Sequence, residues 1–378
     1  MSKILDLRAT DDPRDIVHRS VQALVEGGVV GVPTDTVYGL AASALSEMAV
    51  ARLCEIKGRN QSVPLAISVP SREAAEDFYC GIAPLARRLA ARCWPGPLTL
   101  VIPCDSKHSA ANQLPRSVQE RIRGEFGCVG FRVVDHRVIS HIHRFLSAPL
   151  LLTSANLSGQ PVATTAEQVE KQLGDSIPLL LDDGPTRYGD ASTVARVRGN
   201  QMEILREGVI ERAAMNQFIK PVIALVCTGN TCRSPMAETL LRDLASKKYG
   251  CEDAVRVVSA GVAAGPGSGA TPQAIEVMGN RGLDLTGHCS QPLDDSVIGV
   301  ADLVLTMTRG HRAAILAAWP GLHDRVFTLR RDGGDIADPV GMPVDVYEAC
   351  ADQIEGELRA WIDSLGDDFF PDAATDQA

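Results

Sequence analysis

Val222-Ile223-Ala224-Leu225-Val226-Cys227-Thr228-Gly229-Asn230-Thr231-Cys232-Arg233-Ser234-Pro235 reads as a buried strand, a tight loop and the opening of a helix. The apolar run 222–226 supplies the strand. Ser234-Pro235 opens the helix, because proline in a first helical turn loses no hydrogen bond. Cys227 therefore ends the strand, and Arg233 stands six positions on. Between them a loop of backbone N–H groups faces a helix N-terminus, a ready seat for a phosphate dianion. The same field favours the thiolate form of the cysteine, and an arginine can grip two phosphate oxygens at once. The parts make a sulfur nucleophile aimed at phosphorus. A bare C-x5-R match is common; the strand before it and the helix after it give this one its weight.

The rest of the chain places that motif in a larger molecule. With 378 residues, 45% of them hydrophobic, it has room for two or three domains. A net charge of −10 argues against a general nucleic-acid or membrane-surface binder, and 4% aromatic residues argue against base-stacking platforms. No apolar run reaches the length of a membrane span. Residues 1–8 lack the layout of a signal peptide. The ten cysteines show neither CxxC pairs nor secreted-domain spacing, as free thiols of a reducing compartment would. A cytoplasmic protein without membrane partners is the expectation.

Strand and helix patterns alternate over residues 1–208 and begin anew over 221–366. Residues 209–220 read as a short amphipathic helix or linker, and the acidic stretch 367–378 as a disordered tail. In the first half, strands are expected at 29–33, 64–69, 98–103, 129–134, 149–153 and 192–197. A helix is expected over 47–57, capped by Ser46, stopped by Gly58, with Val50, Leu53 and Ile56 as its stripe. Many strands with few long helices indicate an α+β or mixed α/β domain around a twisted sheet.

Polar groups collect at the ends of these elements. Lys57 and Arg59 sit at a helix C-terminus, Ser154 and Asn156 follow a buried strand, Thr34 and Thr36 flank Asp35 after another, and Arg132 lies on a strand. Cations beside hydroxyls and amides suit a polyphosphate joined to a small polar molecule. Singly, each has a plain alternative as a solvated helix end or an ordinary turn. Together, PTDTVYGL (33–40), KGRNQSVPLAI (57–67), RCWPGPLTLVIP (92–103), GCVGFRV (127–133), TSANLSG (153–159) and DASTVARV (190–197) resemble, in order and spacing, the threonylcarbamoyl-AMP synthase (YrdC-type) family. The resemblance implies a twisted mixed sheet with a deep cavity. It implies a reaction of L-threonine, bicarbonate and ATP that yields threonylcarbamoyl-adenylate and pyrophosphate, for modification of a tRNA adenosine. Lys57, Arg59, Cys128, Ser154, Asn156 and Arg206 fall on the family's ATP-binding positions. Thr36, Arg132 and Ser192 fall on positions that touch the threonine or carbamoyl part. Cys128 stands where the family usually has threonine, Asn60 replaces a common proline, and Ser68 lies where relatives often carry histidine. Mg²⁺ is expected with the ATP and no resident metal. The chemistry is positioning and charge neutralisation at the α-phosphorus. No general base stands out, and the carbamate can itself be the nucleophile.

A phosphatase needs an acid for its leaving group and a base for the second step. Asp338, in Ile336-Ala337-Asp338-Pro339-Val340-Gly341, is the leading candidate; by itself Asp-Pro is a turn. VCTGNTCRSPMAE (226–238), VSAGVAA (258–264), GLDLTGHCSQPL (282–293), ADLVLTMTRGH (301–311) and DPVG (338–341) are similar to the low-molecular-weight phosphotyrosine phosphatase family. That family implies a small doubly wound parallel sheet and no cofactor. Cys227 maps to the nucleophile, Arg233 to the phosphate clamp and Asp338 to the acid and base. Thr228, Gly229, Asn230, Thr231, Cys232 and Ser234 form the loop, with Ser234 polarising the thiolate, Ser259 shaping the loop and His288 behind it. Thr231 stands where tyrosine-directed relatives have isoleucine, and the threonine form looks like the bacterial protein-arginine phosphatases. Pro339-Val340-Gly341, directly behind Asp338, lacks the tyrosines that flank aryl substrates in eukaryotic relatives. Both features favour phosphoarginine over phosphotyrosine in a phosphorylated protein substrate. Cys232, five residues from Cys227, raises a reversible disulfide as a regulatory device; the plainer reading is a small apolar residue.

The favoured reading is a fusion of two enzymes, with tRNA or tRNA-modification proteins as further partners. The alternative is an active phosphatase joined to a nucleotide- or RNA-binding module without synthase activity. The joint presence of Lys57, Arg59, Ser154 and Asn156 speaks against the alternative.

Overall fold

The computed structural model describes residues 3–9, 12–58, 63–79, 81–104, 106–251, 254–366 and 369–370. The chain forms two compact units that divide between Phe218 and Ile219. In the first unit run β1 (Lys3–Asp6), α1 (Arg14–Val25), β2 (Val30–Val32), β3 (Gly39–Ser43), α2 (Glu47–Ile56), β4 (Ala66–Ser68), α3 (Arg72–Glu76), α4 (Pro84–Cys93) and β5 (Leu98–Pro103). There follow α5 (Arg116–Ile122), β6 (Cys128–Arg132), α6 (Arg137–Phe145), β7 (Leu150–Ser154), α7 (Ala166–Leu173), β8 (Leu179–Asp182), β9 (Thr193–Arg198), β10 (Gln201–Arg206) and α8 (Arg212–Phe218).

Among the described residues these ten strands make one mixed sheet, in the order β1-β8-β2-β3-β7-β4-β6-β5-β9-β10. All six expected strands are present, β5 with the expected ends and the other five with shifted ones; β1, β3, β8 and β10 are additional. Gly39-Leu40-Ala41-Ala42-Ser43 has little intrinsic strand preference. It becomes a strand because β2 and β7 pair antiparallel with it on either side. The expected helix over 47–57 is α2. Ser46 Oγ accepts the Ala49 N–H at 3.2 Å, satisfying a donor that the helix leaves open. Ala49, Val50, Leu53 and Ile56 are buried, and Gly58 ends the helix with φ +54°.

The stretch read as a linker belongs in large part to the first unit. The Ile210 N–H donates to Thr193 Oγ1 at 2.9 Å, α8 packs against α4, and Met215 is fully buried. Apolar burial, rather than solvation, decides the fate of this segment.

The second unit contains β11 (Val222–Cys227), α9 (Arg233–Tyr249), β12 (Arg256–Gly261), α10 (Pro272–Asn280), α11 (Asp295–Val300), β13 (Leu303–Thr306), α12 (Arg309–Ala318), β14 (Val326–Thr328) and α13 (Val344–Ser364). Its strands are all parallel, in the order β12-β11-β13-β14. The side-chain alternation of β11 feeds two cores. Ile223, Leu225 and Cys227 pack with residues of α9, α10 and α13, while Ala224 and Val226 pack with residues of α11 and α12. This is the doubly wound parallel arrangement. Cys227 ends the central strand, at the crevice where neighbouring strands diverge and ligands bind in such sheets. The proposed tail lies mostly outside the described residues. Its two described members correct the reading: Phe369 and Phe370 pack against the α9–α13 core, and the Phe370 ring lies 4.2 Å from that of Tyr249. Among the described residues no helix is long and apolar enough to cross a membrane.

Candidate active sites

Strand alternation builds the first site. One face of the sheet presents Ser68 from β4, Thr99 from β5, Cys128 and Arg132 from β6, and Val194 from β9 to a cavity of about 1210 Å³. Intervening residues such as Ile67, Leu100 and Phe131 are buried in the core. At one wall Lys57, the residue that caps α2, is 4% exposed. Its ammonium donates to Ser154 O at 2.7 Å, to Asn156 Oδ1 at 2.9 Å and to the Asn156 carbonyl. Ser154 Oγ donates to the same Oδ1 at 2.6 Å. Lysine, serine and asparagine thus form one cluster, in which acceptors hold the ammonium at the cavity wall.

Arg132, also in the lining, is 7% exposed. Its Nη2 donates to Asp35 Oδ1 at 2.7 Å, and its Nε to Gly96 O at 3.2 Å. Burial works against both charges: it raises the Asp35 pKa, with Arg132 opposing, and lowers that of Arg132, with Asp35 opposing. The contact offsets that cost only in part, and Asp35 Oδ2 is buried without a partner. On the far wall Arg206 Nη2 donates to Ser192 O at 2.7 Å and Ser192 Oγ at 3.1 Å. Burial lowers the Arg206 pKa as well.

Lys57, Cys128, Arg132, Ser154, Asn156, Ser192 and Arg206 all line the one cavity. Thr36 does not. It is fully buried behind the wall, with its Oγ1 3.1 Å from that of Thr34, which does line the space. Arg59 and Asn60 lie outside the described residues. Ser68 Oγ, in the cavity wall, is 3.1 Å from His143 Nε2. Among the described residues no cluster of three His, Cys, Asp or Glu side chains could hold a metal ion.

The second site is the loop after β11. Asn230, with φ +55°, turns the backbone so that its N–H donates to Cys227 Sγ at 3.2 Å. Ser234 Oγ is 2.9 Å from the same sulfur. Asn230 Nδ2 donates to both Ser234 Oγ and Ser259 Oγ at 2.9 Å. The Gln291 N–H donates to Asn230 Oδ1, which fixes the amide's orientation. Ser259 in turn donates to Glu238. Since the amide can only donate to Ser234 Oγ, the Ser234 hydroxyl proton has two acceptors, Cys227 Sγ at 2.9 Å and Ala260 O at 3.4 Å, of which the sulfur is the nearer.

Arg233 is 4% exposed, with Nη1 donating to Ile336 O at 3.0 Å and Nη2 paired with Asp338. Its Nε is buried with no partner. A guanidinium with a spare donor beside the thiol suits a phosphate oxygen. His288 Nε2 donates to Asn230 O at 2.7 Å. Every residue assigned to this site is found around it. Cys232 Sγ lies 3.4 Å from Tyr347 OH and 3.6 Å from Thr271 Oγ1, and Cys227 and Cys232 are free thiols.

Three partners escaped the sequence reading: Asp35 behind Arg132, Glu238 behind Ser259, and His311, whose Nε2 is 2.9 Å from Thr228 Oγ1. The available signal was position. Each charged or titratable group stands in or beside a motif, where solvation alone does not require it.

Comparisons with known proteins agree with this division. The Sua5/yciO/yrdC family (Telomere recombination) matches residues 22–208, and the low molecular weight phosphotyrosine protein phosphatase family matches 222–369. The threonylcarbamoyl-AMP synthase of Bacillus subtilis is 33% identical over 219 residues, 58% of this chain. The chain spans only 60% of that relative's length and 51% of the corresponding Pyrococcus abyssi protein. A Mycobacterium tuberculosis relative from the same group is 35% identical over 191 residues, 50% of this chain and 83% of its own. The protein-arginine-phosphatase of B. subtilis is 43% identical over 141 residues, 36% of this chain and 91% of its own. The crystal structure of P. abyssi Sua5 complexed with L-threonine is 26% identical, with a TM-score of 0.52, covering 79% of this chain and 95% of that one.

Proposed function

We propose two enzymatic activities for this chain, which belongs to the Sua5/yciO/yrdC family through residues 22–208 and to the low molecular weight phosphotyrosine protein phosphatase family through residues 222–369. The first is synthesis of L-threonylcarbamoyladenylate from L-threonine, bicarbonate and ATP, feeding a tRNA modification. The observation that carries it is the convergence of Lys57, Arg132 and Arg206 on one cavity. Lys57, with Ser154 and Asn156, neutralises the phosphates. Arg132 takes the carboxylate of threonine or its carbamate. Pyrophosphate leaves as the carbamate oxygen attacks the α-phosphorus. Mg²⁺ accompanies the nucleotide and is held chiefly by its phosphates. Release of pyrophosphate that requires both threonine and bicarbonate is the test. ATP binding without such release would favour a nucleotide-binding module.

The second activity is a cysteine-dependent protein phosphatase, carried by the Cys227–Arg233–Asp338 arrangement. The Cys227 thiolate attacks phosphorus while Arg233 and the loop N–H groups hold the equatorial oxygens. The bond to the leaving group breaks, and Asp338 gives that group its proton. Asp338 then takes a proton from water, which attacks the phosphocysteine and frees phosphate and thiol. The Arg233–Asp338 contact means that a bound phosphate competes with Asp338 for the guanidinium and frees the carboxyl for this work.

Phosphoarginine is the favoured substrate. Thr231 offers a hydroxyl to a guanidinium leaving group where isoleucine would fill the space, and Pro339-Val340-Gly341 places no aromatic ring beside Asp338. Phosphoarginine and phosphotyrosine peptides, assayed side by side with wild type and Thr231→Ile, decide this. Wild type should prefer phosphoarginine, and the variant should shift toward phosphotyrosine. Equal preference in both proteins removes the basis for the assignment.

A further inference from the structure

The loop that carries Cys227 is braced from two sides. On one side His288 donates to the Asn230 carbonyl at 2.7 Å. On the other, α12 brings His311 Nε2 to 2.9 Å from Thr228 Oγ1. Thr228 is the first residue after the nucleophile, and its side chain has this one bond to the surrounding fold among the described residues. The peptide groups on both sides of Thr228 are fixed by backbone bonds, the Cys227 carbonyl accepting the Val262 N–H and the Thr228 carbonyl the Ala263 N–H, each at 3.0 Å, and the hydroxyl bond to His311 is the side-chain tie that adds to them. The histidine is itself rigidly placed. Its N–H donates to Thr308 Oγ1 in the first turn of α12 at 3.1 Å, and it is only 8% exposed. His311 Nδ1 is buried and has no partner, a cost that a purely structural side chain would shed by becoming apolar.

We infer that His311 is a positioning residue for the phosphatase: its imidazole holds the Thr228 hydroxyl and, together with the backbone bonds on either side, keeps the first N–H of the loop aimed at the phosphate. The inference rests on the phosphatase reading and adds to it a residue not among the assigned machinery.

The surroundings suit the role. The charged groups that face His311 are Arg233 from α9 and Asp338 and Asp335 from the segment after β14. Burial first, and Arg233 next, lower its pKa, against the two carboxylates. The ring therefore stays neutral and adds no second cation beside Arg233, so the dianion is held by oriented dipoles and a single guanidinium. A phosphate contact from the Thr228 N–H exists before, during and after phosphorus transfer. Losing its aim thus weakens substrate and transition state alike, which raises KM and leaves kcat nearly unchanged.

The test uses the full chain, p-nitrophenyl phosphate as substrate and inorganic phosphate as competitive inhibitor. His311→Ala should raise both KM and the phosphate inhibition constant about five- to tenfold, the worth of one neutral hydrogen bond, with kcat within about twofold. His311→Gln, whose amide can reach the same hydroxyl, should recover most of the loss. Thr228→Val should match His311→Ala, and the double variant should be no worse than either single one. Multiplying effects in the double variant, no recovery with glutamine, or unchanged constants in Thr228→Val would each overturn the inference. If the wild-type chain fails to turn over p-nitrophenyl phosphate, the phosphatase reading itself fails and takes the inference with it.

Discussion

At the scale of single residues, both sites are built from side chains whose hydrogen bonds run in one permitted direction. Glu238 accepts, so Ser259 donates to it; Asn230 Nδ2 can only donate, so the proton of Ser234 goes to Cys227 or to the more distant Ala260 carbonyl. One glycine matters for the same geometry. A Cβ at Gly261 would lie 2.5 Å from Thr228 O and 2.7 Å from the Ala264 Cβ. The backbone of the loop cannot give way without losing its aim. Gly261→Ala should therefore destabilise the second unit by about 1–3 kcal/mol and raise KM for p-nitrophenyl phosphate. Denaturant unfolding and steady-state kinetics would check both effects, and unchanged values would show that the loop tolerates the displacement.

At the scale of elements, α2 delivers a group to the wall of the first cavity, whereas α6 braces a wall residue from outside the lining. α2 places Lys57 at its last turn and depends on Ser46 at its first. Ser46→Ala should cost about 1 kcal/mol through the lost cap, read as a lowered denaturation midpoint. α6 places His143 against Ser68, and burial pushes its pKa down from 6.5 to about 4. The unfolded chain takes up this proton near pH 6.5, whereas the folded chain does so only near 4. Stability from this group is therefore intact above pH 6.5, falls as the pH drops through that window, and levels off below 4. The loss amounts to about 3 kcal/mol. Hydrogen exchange in β4 and α6, followed from pH 7 to 4, should show falling protection in wild type and a flatter profile in His143→Gln. Equal slopes would assign the acid sensitivity to other groups.

At the scale of the whole molecule, each unit has its own sheet, its own core and its own cluster of candidate site residues. Two independent activities are the expected consequence. Cys227→Ser should abolish p-nitrophenyl phosphate hydrolysis and leave threonine-dependent pyrophosphate release intact. Lys57→Ala should lower pyrophosphate release on the order of a hundredfold and leave hydrolysis intact. Loss of both activities in either variant would mean that the units do not work separately.

The amino-acid sequence alone was enough for what is local. The strand–loop–helix around Cys227, the cap at Ser46, the stripe of α2 and the six strands of the first half follow from spacing of two or of three to four residues and from turn chemistry. Cys227 and Arg233 stand out in their own motif, whereas Cys128, Ser192, Arg206, Ser259 and His288 were legible only through the resemblance of their segments to known families. Tertiary structure alone decided what spans the chain. Arg132 meets Asp35 across 97 residues, Thr228 meets His311 across 83, and the weak strand β3 exists because two neighbours pair with it. The physical reason is that periodicity dictates which face of an element is apolar, whereas burial among distant elements dictates which polar groups are left with only each other as partners.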